Sequence, residues 1–130
     1  MTWHHLVQQV RDLGRYDTDQ KAERVLDAVL TVLGSQLSGD ERCDLAAALP
    51  DRARAVLAAQ IPLTHPVAAP AFVEAVARLL TTTLAAARWD SSTVLTVLSD
   101  LVGEQLTGRL LASLPRSYAL LFGRADLAAA

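Results

Sequence analysis

The sequence is poor in reactive and cross-linking side chains. Its 130 residues contain one cysteine, Cys43, and one lysine, Lys21. A lone cysteine excludes an intramolecular disulfide and any zinc site built on several cysteines. The fold must therefore stand on packing alone, and the expected setting is the reducing cytoplasm. Phe, Tyr and Trp occur twice each, too few for a strand-rich core. No apolar run approaches the ~18 residues of a transmembrane helix. The opening Met1-Thr2-Trp3-His4-His5 lacks the charged and apolar regions of a signal peptide, and no membrane partner is expected. The net charge is −2, and the basic residues are scattered rather than gathered in a stripe, which argues against nucleic acid. No G-x-S-x-G, H-E-x-x-H or C-x-x-C pattern occurs, and no glycine-rich phosphate loop. No catalytic residue, cofactor or metal is expected, and the protein is read as a non-enzyme.

What the sequence does hold is alanine and leucine, 23 of each within an apolar fraction of 52%. Both are strong helix formers, so the expected fold is an all-α bundle forming a single domain over residues 1–130. Apolar residues recur at helical spacing. Trp3, Leu6, Val7, Val10 and Leu13 predict a first helix that Gly14 ends. Ala22, Val25, Leu26, Val29, Leu30, Leu33 and Leu37 predict a second, capped from the Tyr16–Asp19 region. Ser38 and Glu41 match a capping box for a third helix reaching Leu49. A fourth is expected from Pro50 to Gln60, with the proline in its first turn. Residues 61–70 hold three of the five prolines and read as a linker. A fifth helix starts at Pro70. Thr81–Ala87 is open between helix and turn. Asp90, Ser91 or Ser92 is expected to cap the helix whose Val94, Leu95, Leu98, Leu101 and Val102 face inward. Thr107 and Pro115 are read as punctuating two last short helices, and residues 124–130 as a fraying tail.

An internal duplication is the most specific signal. Val25-Leu26, Gly34 and Gln36-Leu37 reappear as Val94-Leu95, Gly103 and Gln105-Leu106. The same offset sets Trp3 against Phe72 and Val7 against Val76. After a short deletion, Leu45-Ala46-Ala47-Ala48-Leu49-Pro50 aligns with Leu110-Leu111-Ala112-Ser113-Leu114-Pro115. Two tandem four-helix repeats are expected, residues 2–60 and 70–123, forming one bundle of about eight helices. The deletion predicts a shorter third helix in the second half. The seam between the halves is where a pocket or partner groove is expected, since sites favour interfaces.

Few residues suggest chemistry. His4 and His5 diverge by ~100° on a helix and cannot chelate one ion together, and His65 lies in the linker. Cys43 reads as a small buried apolar residue. Asp40, Glu41 and Asp44 suit a helix start. Arg52, Arg54 and Arg116 follow the two Leu-Pro pairs and are candidate contacts for an acidic partner, with a solvated face as the plainer reading. Trp89 is assigned to the core, with an interface anchor as the alternative.

Three segments resemble a bacterial family catalogued as domain of unknown function 2267. They are Leu33-Gly34-Ser35-Gln36-Leu37, the Leu-Ala-Ala-Ala-Leu-Pro run at 45–50, and Ala112-Ser113-Leu114-Pro115-Arg116-Ser117-Tyr118-Ala119-Leu120-Leu121-Phe122. The resemblance spans about residues 3–123 and implies a small all-helical protein. It supplies no catalytic residues. Family members usually carry a polar residue, often Gln, before each Leu-Pro, where this chain has Ala48 and Ser113. The function expected from these observations is that of an adaptor or regulator binding another protein, with a homo-oligomer a further expectation. The alternative is a carrier of a small apolar ligand between the repeats.

Overall fold

A computed structural model describes residues 1–124. The expected fraying of the tail falls, from residue 125 on, outside the described residues. The described chain is all-helical with eight helices: α1 (Trp3–Gly14), α2 (Asp19–Gln36), α3 (Gly39–Ala48), α4 (Asp51–Ala58), α5 (Ala69–Leu80), α6 (Leu84–Val102), α7 (Glu104–Ser113) and α8 (Tyr118–Leu121). No single helix among the described residues is long and apolar enough to cross a membrane; α5 and α6 reach that composition only together, across a 104° bend.

The two longest helices, α2 and α6, form the centre. Helix α2 packs against α1, α4, α5 and α6, and α6 also packs against α7 and α8. Ala22, Val25, Leu26, Val29 and Leu30 of α2 are fully buried, as are Val94 and Leu95 of α6. Small and branched aliphatic side chains let these helices approach closely, and the area they remove from water supplies the main stabilisation. Phe72 and Tyr118 close one end of the core edge to face, with ring centroids 5.6 Å apart.

Helix starts follow hydroxyl chemistry. Thr2, Thr18 and Thr83 each accept a hydrogen bond from a first-turn amide, satisfying donors that a helix leaves unpaired. Thr83 thus takes the role expected of Asp90, Ser91 or Ser92, all of which lie inside α6. Thr81, in the left-handed region, ends α5. Ser38 occupies the N-cap of α3, but its hydroxyl makes no capping bond. Pro50 sits one residue outside α4, at its N-cap. Thr107 does not end a helix: it is buried inside α7, and its hydroxyl donates to the Gly103 carbonyl at 2.7 Å.

The expected shortening of the third helix in the second half does not occur, since α3 and α7 both have ten residues. The difference lies mostly in the helix before it: α2 runs from Val25 on to Gln36 and is followed by Leu37 and Ser38, whereas α6 runs from Val94 only to Val102, and Gly103 alone, with φ 88°, precedes α7. A glycine tolerates that left-handed turn without strain. Burial is alike in α1 and α5. Leu6, Val7 and Val10 of α1 bury at the same spacing as Phe72, Val73 and Val76 of α5, while Trp3 is only partly buried. Leu49 and Leu114 end α3 and α7 alike, each extended, with its amide bonded three residues back.

The linker is tied down. The Leu63 amide donates to the Ser35 carbonyl at 2.9 Å. The Val67 amide donates to Gln36 Oε1 at 2.7 Å, and the Val67 carbonyl accepts from the Tyr118 hydroxyl at 2.7 Å. Gln36, expected only as a repeated polar residue, is 7% exposed; its Oε1 accepts from Val67 and its Nε2 donates to Ser35 Oγ at 2.9 Å, which accounts for a buried amide side chain.

Arg42 on α3 holds the ends of two helices. Its guanidinium donates to the Gly34 and Leu37 carbonyls at the end of α2, and to Leu57 and Gln60 at the end of α4, the last two at 3.0 and 2.8 Å. Gly34 makes room for this junction, because a Cβ there would lie 2.6 Å from the Leu57 carbonyl oxygen. Cationic donors suit helix C-termini, where the carbonyls carry partial negative charge. Arg42→Ala is therefore expected to lower stability by about 2–4 kcal/mol, read as a lower urea midpoint at unchanged slope. Arg42→Lys should recover little, since an ammonium cannot span both helix ends as a planar fork does.

Candidate functional site: a groove between α1 and α6

The apolar stripe of α1 overruns the core. Leu13, expected inside, is 46% exposed. It borders Val97 and the half-buried Leu101 of α6, and Gln9, Asp12 and Asp100 stand around them. Together these residues line a groove of about 620 Å³. Asp12 and Asp100 enter none of the ion pairs among the described residues. The groove therefore presents an apolar floor with two carboxylates on its rim.

Trp89 stands on α6 about two turns before Val97, outside the lining of this groove, and its assignment to the core is overturned: it is 54% exposed. It lies on the same face of α6 as Thr93 and Val97, at successive four-residue steps. Its indole N–H donates to the Gly14 carbonyl at 3.1 Å, which fixes the ring at the end of α1. The reason it stays outside is Tyr16. The tyrosine ring folds over Gly14, where a Cβ would fall 2.2 Å from its Cε2. Its hydroxyl donates to Asp90 Oδ1 at 2.5 Å. Tyr16 thus fills the space between the end of α1 and α6, and Trp89 covers that end from the solvent side.

Asp90 is 3% exposed and Ser91 fully buried. Burial, reinforced by the hydrogen bond to Asp90 and its charge, pushes the Tyr16 hydroxyl far above the usual tyrosine range. Burial alone raises Tyr118. Ser91 Oγ is buried without a hydrogen-bond partner. This polar layer ties the end of α1 to α6.

The arginines singled out from the sequence serve mostly within the fold. Arg52 lies 4.5 Å over the Trp3 ring and pairs with Glu23 at 3.1 Å, while the Trp3 indole donates to the same carboxylate at 3.0 Å. Arg54 donates to the Ala46 and Leu49 carbonyls at the end of α3. Arg116 is exposed and precedes α8. None of the three lines the groove. Cys43 is exposed rather than buried, because only Leu45 of α3 turns fully inward. His4, His5 and His65 are all exposed. Glu41 and Asp44, read as helix-start carboxylates, both face Arg109 of α7, with Asp44 at 2.7 Å. That pairing raises the Arg109 guanidinium. Among the described residues no group of three or more His, Cys, Asp or Glu is placed to hold a metal. The groove thus offers apolar contact and negative charge.

Sequence reading missed Asp12, Val97 and Asp100 as rim and floor. The signal for Asp100 and Leu101 was present, as a continuation of the Trp89–Thr93–Val97 face, but an aspartate there reads equally as a solvated residue.

Two substitutions probe the polar layer between α1 and α6. Tyr16→Phe should lower stability by about 1–3 kcal/mol at neutral pH, because Asp90 loses its donor. Both tyrosines stay protonated in the folded state and return to about pH 10 on unfolding. Stability should therefore hold below about pH 10 and fall as pH rises above it, and Tyr16→Phe should flatten that fall. Ser91→Ala should raise stability by up to about 1 kcal/mol, since a buried unpaired hydroxyl is costly. Chemical denaturation at several pH values measures all three.

No curated protein matches the chain. A family model described as "Uncharacterized conserved protein (DUF2267)" matches residues 3–121, a span that takes in all eight helices, the tied linker and both walls of the groove. The chain belongs to this family.

Proposed function

We propose that the protein is a non-enzymatic interaction module, an adaptor or regulator acting in the bacterial cytoplasm, built from two four-helix repeats. Its partner is a protein segment that lays an amphipathic helix along the α1–α6 groove. The observation that carries this reading is Trp89. A tryptophan more than half exposed, yet held rigidly by a hydrogen bond to Gly14, loses little freedom when it is covered, which suits a binding anchor. The groove joins a helix of the first half to one of the second, the position expected for a site. Asp12 and Asp100 favour a partner with Lys or Arg beside its apolar face.

The second reading, a carrier of a small apolar ligand, is supported by the volume of the same groove, about 620 Å³, within the usual range for ligand sites.

A randomised library of helical peptides, selected against the whole protein, tests the proposal. Selected peptides should pair apolar residues at helical spacing with a basic residue. They should lose about 30-fold in affinity on Trp89→Ala and a smaller factor on Asp12→Asn or Asp100→Asn. Peptides that bind Trp89→Ala as tightly as the wild type, or a library yielding no groove-dependent binder, would overturn it. A small-molecule adduct in native mass spectrometry that Trp89→Ala abolishes would establish the carrier reading instead.

A further inference from the structure

A second groove lies on another face, between α5, the start of α6 and α8, and has a volume of about 540 Å³. Its floor includes the buried Ala69 and Val73, and its rim carries Leu84 and Leu120, which are 57% and 60% exposed. Glu74 stands on the α5 side and Arg88 on the α6 side. Neither enters an ion pair among the described residues.

The walls are fixed before anything binds. The Ala69 amide donates to Ser117 Oγ at 3.0 Å, tying the start of α5 to the residue before α8. The Tyr118 hydroxyl holds the Val67 carbonyl just ahead of α5. A rigid groove loses little entropy on association.

We infer that the occupant of this groove is a second copy of the chain, docked about a two-fold axis. A two-fold interface uses the same patch on both partners, so the patch must complement itself. This one does so in shape and in charge. It carries both projecting leucines and a hollow floored by small side chains. It also carries one carboxylate and one guanidinium on facing walls, so a two-fold axis sets each Glu74 against the Arg88 of the other copy. A foreign segment would have to supply both charges and both apolar shapes; a second copy supplies all of them. The inference uses none of the residues that line the α1–α6 groove.

Sedimentation velocity on the full chain, from micromolar to near-millimolar concentration, is the test. The wild type should dimerise. Leu84→Asp and Leu120→Asp, both at exposed positions that leave the core untouched, should each weaken dimerisation by about 100-fold or more. Glu74→Arg alone and Arg88→Glu alone should each weaken it by about tenfold, because like charges then meet. Mixing those two single variants should restore dimers as mixed pairs, and the double variant Glu74→Arg/Arg88→Glu should dimerise as the wild type does. Circular dichroism confirms that each variant is folded. A wild type that stays monomeric throughout overturns the inference. So does a dimer that ignores the two leucine variants, or charge variants that fail to rescue one another. Peptide binding at the α1–α6 groove should survive Leu84→Asp and Leu120→Asp, so the two readings fail separately.

Discussion

A helix buried on nearly every side must still find partners for the carbonyls at its end. That constraint governs this fold. Helix α2 is the axis against which α1, α4, α5 and α6 pack, and its C-terminal carbonyls emerge where water has limited access. Arg42 satisfies them and reaches the end of α4 with the same group. The planar guanidinium, with its five donors, makes possible a junction that Gly34 makes sterically open. At the corresponding turn after α6 there is no arginine. The Thr107 hydroxyl donates to the Gly103 carbonyl, and Gly103 alone turns the chain. One long helix thus ends on a charge and the other on a hydroxyl and a tight turn.

The helical class and most element positions were legible because alanine and leucine dominate and the apolar stripes are long. The α2 stripe from Ala22 to Leu33 could only be a buried helix. Prolines at 62, 66 and 70 marked the break between halves. What failed was local. Asp90, Ser91 and Ser92 look like a cap, since short polar side chains favour helix starts. They instead lie inside α6, because Tyr16, far away in sequence, brings a partner to Asp90. The capping box expected at Ser38 and Glu41 does not form: Ser38 takes the N-cap without a hydroxyl bond, and Glu41 faces Arg109.

The candidate site was less legible than the fold. Trp89 was the right residue to single out, but its burial was wrong, and the cause is again tertiary. An indole can be satisfied while exposed if a carbonyl lies beneath it, and nothing near position 89 announces Gly14. The arginines after the two Leu-Pro pairs looked available because sequence shows charge but not partners. Arg52 proved to lie on Trp3 and Arg54 on the carbonyls of α3.

Val67 is gripped through both of its backbone polar groups, the amide by Gln36 from the first half and the carbonyl by Tyr118 from the second. A strand of chain held this way cannot act as a hinge. The halves are denied the swinging motion that two-part proteins commonly use to open and close, and separating them would strand a buried amide donor and a carbonyl together. The connection works as a rivet: melting of either half takes the grip of the other with it, so the molecule should come apart in one cooperative event rather than as two independent pieces.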